Sequence, residues 1–328
     1  MRPSGLVTLI GCAALLACER PASSEPAPLV FERSIPLAGV SGRIDHLAID
    51  LKRNRLFVAE LGNGSVDALD LEGRTSSLRI TGLSEPQGIA YLARTDEIAV
   101  ACGGDGTVRF YRGSDLVPAG VLKVGDDADN LHVNPSGDRL VVGYGTGGLA
   151  IIDPSARRIV ARLALPGHPE GFSLDGDSVL VNVPDRNAII LGDLASTRIL
   201  ARWEARHGSN YPLALDASGR TAAIAYRSPA RLETRIASKG ETLTDSAACG
   251  DADDVFFDEE RHRLYLICGS GAVAVFHDTG NGYRPAGLIE TSAGARTGLF
   301  VAEQDRLFVA APSRGGRQAE IQVYRATP

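Results

Sequence analysis

Short apolar runs recur along the chain, each emerging from a polar cluster. They are "LAID" from 47, "IAYL" from 89, "LHVN" from 131, "FSLD" from 172, "LALD" from 213, "VFFD" from 255 and "LFVA" from 299. Successive starts are 42, 42, 41, 41, 42 and 44 residues apart. A fixed step of about 40 residues marks a repeat architecture. Each unit has one internal grammar. The first run tends to close on Asp or Asn and enter a turn ("DLKRNR", "NPSGDR", "DASGR", "DEERHR"), because these side chains bond backbone amides just ahead of them. A second apolar run follows ("RLFVA", "EIAVA", "RLVVG"), then a third ("SVDALDL", "TVRFYRG", "LAIIDP"), then a more polar fourth ("SLRITGL", "GVLKVG", "IVARLALPG"). Four strands per repeat, seven times over, predict an all-β fold: a seven-bladed β-propeller of four-stranded blades. Unit five is the weak point, since "RLETRIASKG" makes a poor third strand.

The last unit stops after its third strand, "EIQVYRATP", while "LVFERSIPLAG" (29–39) stands alone before the first. The N-terminal strand is therefore expected to close the last blade, which also removes an exposed sheet edge. The propeller then occupies 30–328. Composition agrees with a folded chain rich in turns, at 44% apolar, 23% charged and 37 Gly among 328 residues. A net charge of −6 argues against nucleic acid as a partner, because phosphate recognition needs an excess of Lys and Arg.

Residues 1–17 read as a leader, with one early Arg and an apolar stretch from Leu6 to Ala17. That stretch is too short to cross a bilayer as a helix. It closes in "LLAC", Leu15 to Cys18, which resembles the bacterial lipoprotein box and implies acylation of Cys18. Residues 18–29, with "ERPASSEPAP", read as the acylated Cys and an extended Pro-rich tether. The expectation is export, contact with a membrane through the lipid anchor only, a domain facing the periplasm and, with Glu19 after the Cys, the outer membrane. Cys102 ("IAVACGG") and Cys268 ("LYLICGS") lie in apolar strands, where Cys behaves as a small hydrophobe. An exported chain can also join Cys249 to Cys268.

In a propeller the innermost strand of each blade lines the central channel, and the residues just before it stand at one mouth. Two positions before each inner strand are Asp45, Gln87, Asp129, Glu170, Tyr211, Asp253 and Thr297. One position before are His46, Gly88, Asn130, Gly171, Pro212, Asp254 and Gly298, with Arg296 just behind in unit seven. The phrases "GDDADNLHVN" (125–134) and "GDADDVFFD" (250–258) thus write the same mouth position in blades three and six. Converging carboxylates repel unless a cation, a basic ligand group, Arg296 or protonation neutralises them. Asp45, Asp129, Glu170 and Asp253 are the candidate metal ligands. No cofactor is firmly implied, and the possible one is a divalent cation such as Ca²⁺, which prefers oxygen donors. The glycines would leave amides open, and Tyr211 could stack on a ring. "GYGTGG" matches G-x-G-x-x-G at Gly143, Gly145 and Gly148, but a strand rather than a helix follows. His168 in "GHPEG" is a possible base near Glu170 or a structural loop residue. His132 is expected to pack inside blade three, and Trp203 to cover a blade face.

"NRLFVAELGNGSVDALDL" resembles the YVTN repeat, a "YVTN"-like strand before a Gly/Asn turn and a V-x-V-x-D strand. Together with "GRIDHLAID", "EPQGIAYL", "GHPEGF" and "GARTGLF", it makes 30–328 resemble the YncE-like group of exported bacterial seven-bladed propellers. The resemblance implies the fold. Its members include binding proteins, and neighbouring propeller families include lactonases and lyases. The expected function is a lipid-anchored module binding a small molecule or protein at an acidic channel mouth. The alternative is a metal-assisted hydrolase, lactonase or lyase using the same carboxylates; no nucleophile–base pair stands out to favour it.

Overall fold

The structure, a computed structural model, describes residues 27–73, 77–145 and 147–328. The leader, Cys18 and most of the tether lie outside the described residues. Seven four-stranded antiparallel sheets succeed one another, over 47–81, 86–123, 128–164, 172–204, 208–247 and 252–290, with the seventh combining 297–326 and the N-terminal strand Leu29–Pro36. In each of the first six sheets the strand order is the sequence order. The seventh places Leu29–Pro36 outside Glu320–Ala326, in register from Leu29 opposite Ala326 to Pro36 opposite Glu320. The predicted ring closure is the observed one.

The core is divided as the ring is. Seven apolar clusters fill the seven spaces between neighbouring blades; that between blades one and two, for example, joins Phe57, Val66 and Ile80 to Ile89, Ile98 and Val100. The second and third strands are buried on both faces, which is why they read as continuous apolar runs. The fourth strands alternate, as Arg158–Ala164 and Arg198–Glu204 do. They form the outer edges.

Unit five corrects the reading of its sequence. Ala230–Ile236 is a full third strand, paired along its whole length with Thr221–Ser228. Its core positions are polar and pair with one another. Buried Glu233 accepts from Tyr226 Oη at 2.5 Å and from Thr242, and pairs with Arg235 at 2.9 Å. Cys249 and Cys268 form a disulfide within blade six, with Cα atoms 5.8 Å apart, so Cys268 is a cross-link as well as a core residue. Cys102 is a free, fully buried thiol. After Gly143 and Gly145 comes the strand Gly148–Asp153, so no dinucleotide fold is present there. Trp203 packs partly buried against the layer between blades four and five. His132 differs from expectation: it lines the channel and stands edge-on to Phe172 of the next blade, with ring centroids 4.6 Å apart.

Candidate functional site

The inner strands enclose a cavity of about 380 Å³, lined near one end by His46, Asn130, Gly171, Pro212, Asp253 and Asp254. A repeated backbone device aims side chains at this end. In blades two, three, five and six the residue two places before the mouth position is left-handed: Glu85, Asp127, Ser209 and Asp251, with φ of 52, 50, 61 and 59°. The pairing of the inner strand then slips at Pro86/Ile89, Ala128/Leu131, Asn210/Leu213 and Ala252/Asp254. Bulges of this kind re-aim side chains and are common beside functional sites.

Of the residues expected at the mouth, the acids do converge. The Arg43 guanidinium lies 3.1 Å from Asp45 and 3.9 Å from Asp253 and also feels the charges of Asp129 and Glu170. Arg296 reaches Asp253 Oδ2 at 3.0 Å and Asp251 at 3.2 Å. Arg227 pairs with Asp253 and donates to the Ala252 carbonyl at 2.9 Å. His46 sits between Asp254, 3.7 Å from Nδ1, and Asp45, 3.8 Å from Nε2. The mouth is therefore a mixed ring, in which three arginines bracket Asp45 and Asp253.

Other expected residues are engaged elsewhere. Thr297 is 1% exposed and faces the Ile44 carbonyl at 3.3 Å, and Gln87 is buried with its amide 3.4 Å from Asp127. Tyr211 does not offer an open ring, because the Arg227 guanidinium covers it at 4.0 Å. Nor do Gly171 and Gly298 leave their amides free. Gly171 N–H donates to Tyr211 O at 3.0 Å and Gly298 N–H to Asp254 Oδ2 at 2.8 Å. Gly88 and Gly171 are needed because a Cβ there would strike the backbone of the next inner strand, at Asp129 O and Tyr211 O.

The acids the arginines leave over lie in blades three and four. Asp129 is 9% exposed, and its nearest cation is His168, whose Nε2 stands 3.7 Å from Asp129 Oδ2, too far for a hydrogen bond. The half-buried Glu170 carboxylate makes no hydrogen bond or ion pair among the described residues. One donor atom each from Asp129, His168 and Glu170 lie within 4.8 Å of one another. The His168 Nδ1 is 2.6 Å from the Gly145 carbonyl. A carbonyl only accepts, so Nδ1 carries a proton and Nε2 faces the carboxylates.

Charge follows from this packing. Burial, then Asp129, pushes Glu170 up to about 7. The Asp129 carboxylate raises His168 to about 9 against the effect of burial, so the ring is an imidazolium at neutral pH and does not act as a base in that state. Burial lifts Asp254 to about 6 and raises Asp45, the latter opposed by His46 and Arg43. For His46 burial disfavours the charged ring, but Asp254 and Asp45 outweigh it and the pKa rises. His132, buried away from any carboxylate, falls to about 4 and is neutral.

Sequence reasoning missed Arg43 and Arg227 and left His168 undecided. A signal existed for two of them. Two residues before each mouth position stand Arg43, Glu85, Asp127, His168, Ser209, Asp251 and Ala295, and five of these seven are ionisable. Arg227, at the end of a second strand, belongs to no such series.

No known family profile matches the sequence, and no curated protein does. Solved structures do. A chain of the mitotic checkpoint complex crystal structure superposes with a TM-score of 0.79 at 13% identity, over 98% of this chain and 99% of that one. The hydrazine synthase of Kuenenia stuttgartiensis gives 0.73 at 14%, over 84% and 95%. At such identities the likeness is one of fold.

Proposed function

We propose that the chain is a binding module whose channel mouth receives a positively charged group, carried by a small molecule or by a protein partner. One observation supports this above others: Asp129 and Glu170 face the mouth without a hydrogen bond, after the arginines have balanced Asp45 and Asp253. Glu170 has no ion pair among the described residues, and Asp129 has only the His168 ring at 3.7 Å, so both gain from an arriving cation. The arginines give the mouth a fixed shape, since Arg227 and Arg296 hold Asp253 from the blades on either side of it and Arg43 holds Asp45.

Thermal denaturation of the full chain tests the reading. Arginine amide and spermidine are expected to raise the midpoint and sulfate to leave it unchanged, with a ligand at a hundred times its Kd adding about 2.7 kcal/mol. Glu170→Gln should abolish the shift. A midpoint indifferent to every organic cation overturns the proposal.

Membership of the YVTN-repeat, YncE-like group and attachment to a membrane through Cys18 belong to the same proposal. They are supported by the repeat strands and by the "LLAC" end of the leader. Palmitate fed to cells should label the chain and not its Cys18→Ser variant; label persisting in the variant removes the anchor.

A further inference from the structure

We infer that Asp129, His168 and Glu170 form a binding site for a divalent transition ion of the zinc type, at the mouth between blades three and four. This rests on the cation-receiving reading of the mouth and assigns the cation its class.

Three observations converge. The donors number two carboxylates and one imidazole, and the chosen atoms lie within 4.8 Å of one another. Zinc bonds to such donors at about 2.0–2.2 Å, which places donor atoms roughly 3.3 Å apart, so closure needs side-chain rotations of about an ångström. Second, the Asp129 side chain is 13% exposed, and its one ion-pair partner among the described residues is the ring of His168, a member of the same cluster, at 3.7 Å. Third, His168 is oriented as a metal-binding histidine is. Its Nδ1–H is tied to the Gly145 carbonyl at 2.6 Å, outside the cluster, so it is the Nε2 proton, on the side of Asp129, that a metal ion displaces to gain a lone pair. A backbone carbonyl holding the far nitrogen is the usual support of a ligating imidazole.

The rest of the mouth narrows the position. Asp45 is held by Arg43, and Asp253 by Arg227 and Arg296, so neither is free to join. What remains is a three-ligand set, the number that leaves a coordination place for water or a ligand atom. The set is too small and too nitrogenous for Ca²⁺, which takes six to eight oxygens.

Calorimetric titration of the full chain with Zn²⁺, Co²⁺ and Ca²⁺ decides the matter. One equivalent of Zn²⁺ should bind, Co²⁺ should bind with visible ligand-field bands, and Ca²⁺ should bind far more weakly. Asp129→Asn, His168→Gln and Glu170→Gln should each lower zinc affinity by about tenfold or more, while His277→Gln on the exposed flank of blade six leaves it unchanged. Melting curves without metal establish that each variant folds. Absence of saturable binding to the native chain overturns the site, as does Ca²⁺ binding more tightly than Zn²⁺ or affinity unaffected by His168→Gln. If zinc fails while arginine amide still stabilises the chain through Glu170, the metal falls and the mouth reading stands. If both fail, both are wrong.

Discussion

Glu60 is a carboxyl that the fold makes a weaker acid. It ends the second strand of blade one, is fully buried, accepts from Ser65 Oγ and lies beside Asp67, which Arg79 holds at 2.6 Å. Burial, opposed by Ser65 and reinforced by Asp67, raises it to about 7. The folded state thus binds its proton more tightly than the unfolded chain, so Glu60 stabilises the fold fully below the unfolded carboxylate pKa, and that stability is lost as pH rises towards 7. Glu60→Gln keeps an acceptor for Ser65 and cannot ionise. It is expected to match the native chain near pH 4.5 and to exceed it at pH 8 by at most about 3 kcal/mol, since each tenfold gain in proton affinity is worth about 1.4 kcal/mol. Urea titrations at both pH values measure this, and equal differences at the two would refute it. At this scale the sequence tells position better than partner. The mouth acids were legible because they sit at a constant offset before each inner strand. The arginines that balance them were not, because Arg227 reaches Asp253 across the gap between blades five and six. Tyr211, with the same offset as the acids, is capped by that guanidinium.

At the scale of elements, apolar periodicity located the strands wherever cores are apolar. It faltered in blade five, where Glu233, Thr234 and Arg235 replace aliphatic side chains and Arg235 reaches the Glu204 carbonyl of blade four at 3.2 Å. A polar layer whose members pair with each other folds as a strand but carries no hydrophobic signature. The Asp residues that end inner strands were read as turn formers, and they are: Asp50 and Asp258 each accept from the backbone amide three residues on, at 3.2 and 3.3 Å. They also hold an arginine that crosses to the next blade, Arg53 to Asp96 at 2.6 Å and Arg261 to Asp305 at 2.7 Å. Repeat spacing could have shown this pairing, since Arg53 and Arg261 follow their aspartates by the same three residues. The Cys249–Cys268 disulfide ties the segment entering blade six to its second strand, just ahead of Asp251 and Asp253. It therefore steadies one side of the mouth, a role that strand apolarity alone concealed.

At the scale of the whole molecule, stability depends on closure. Each blade buries its faces only against two neighbours, so an open ring leaves two faces in water. Leu29–Pro36 prevents this at blade seven by pairing with Glu320–Ala326. Leu29, 2% exposed, packs with Tyr265, Leu307 and Tyr324, while Glu32 receives Arg306 at 2.8 Å and Arg325 at 3.3 Å. Thr327 N–H donates to the Pro28 carbonyl at 3.1 Å, fastening the two ends of the described chain to one another. Deleting residues 27–36 removes these contacts and bares the edge of Glu320–Ala326, an open template for another chain. A loss of about 4 kcal/mol is expected, near the cost of emptying one large buried side chain. For a domain of this size that lowers the melting midpoint by roughly 6 °C, and size-exclusion chromatography should show oligomers formed through the bared edge. A synthetic peptide of residues 27–38 added in trans should restore both midpoint and monomer. A deleted chain that melts and elutes like the intact one would show that six complete blades and a three-stranded seventh hold the ring without the N-terminal strand.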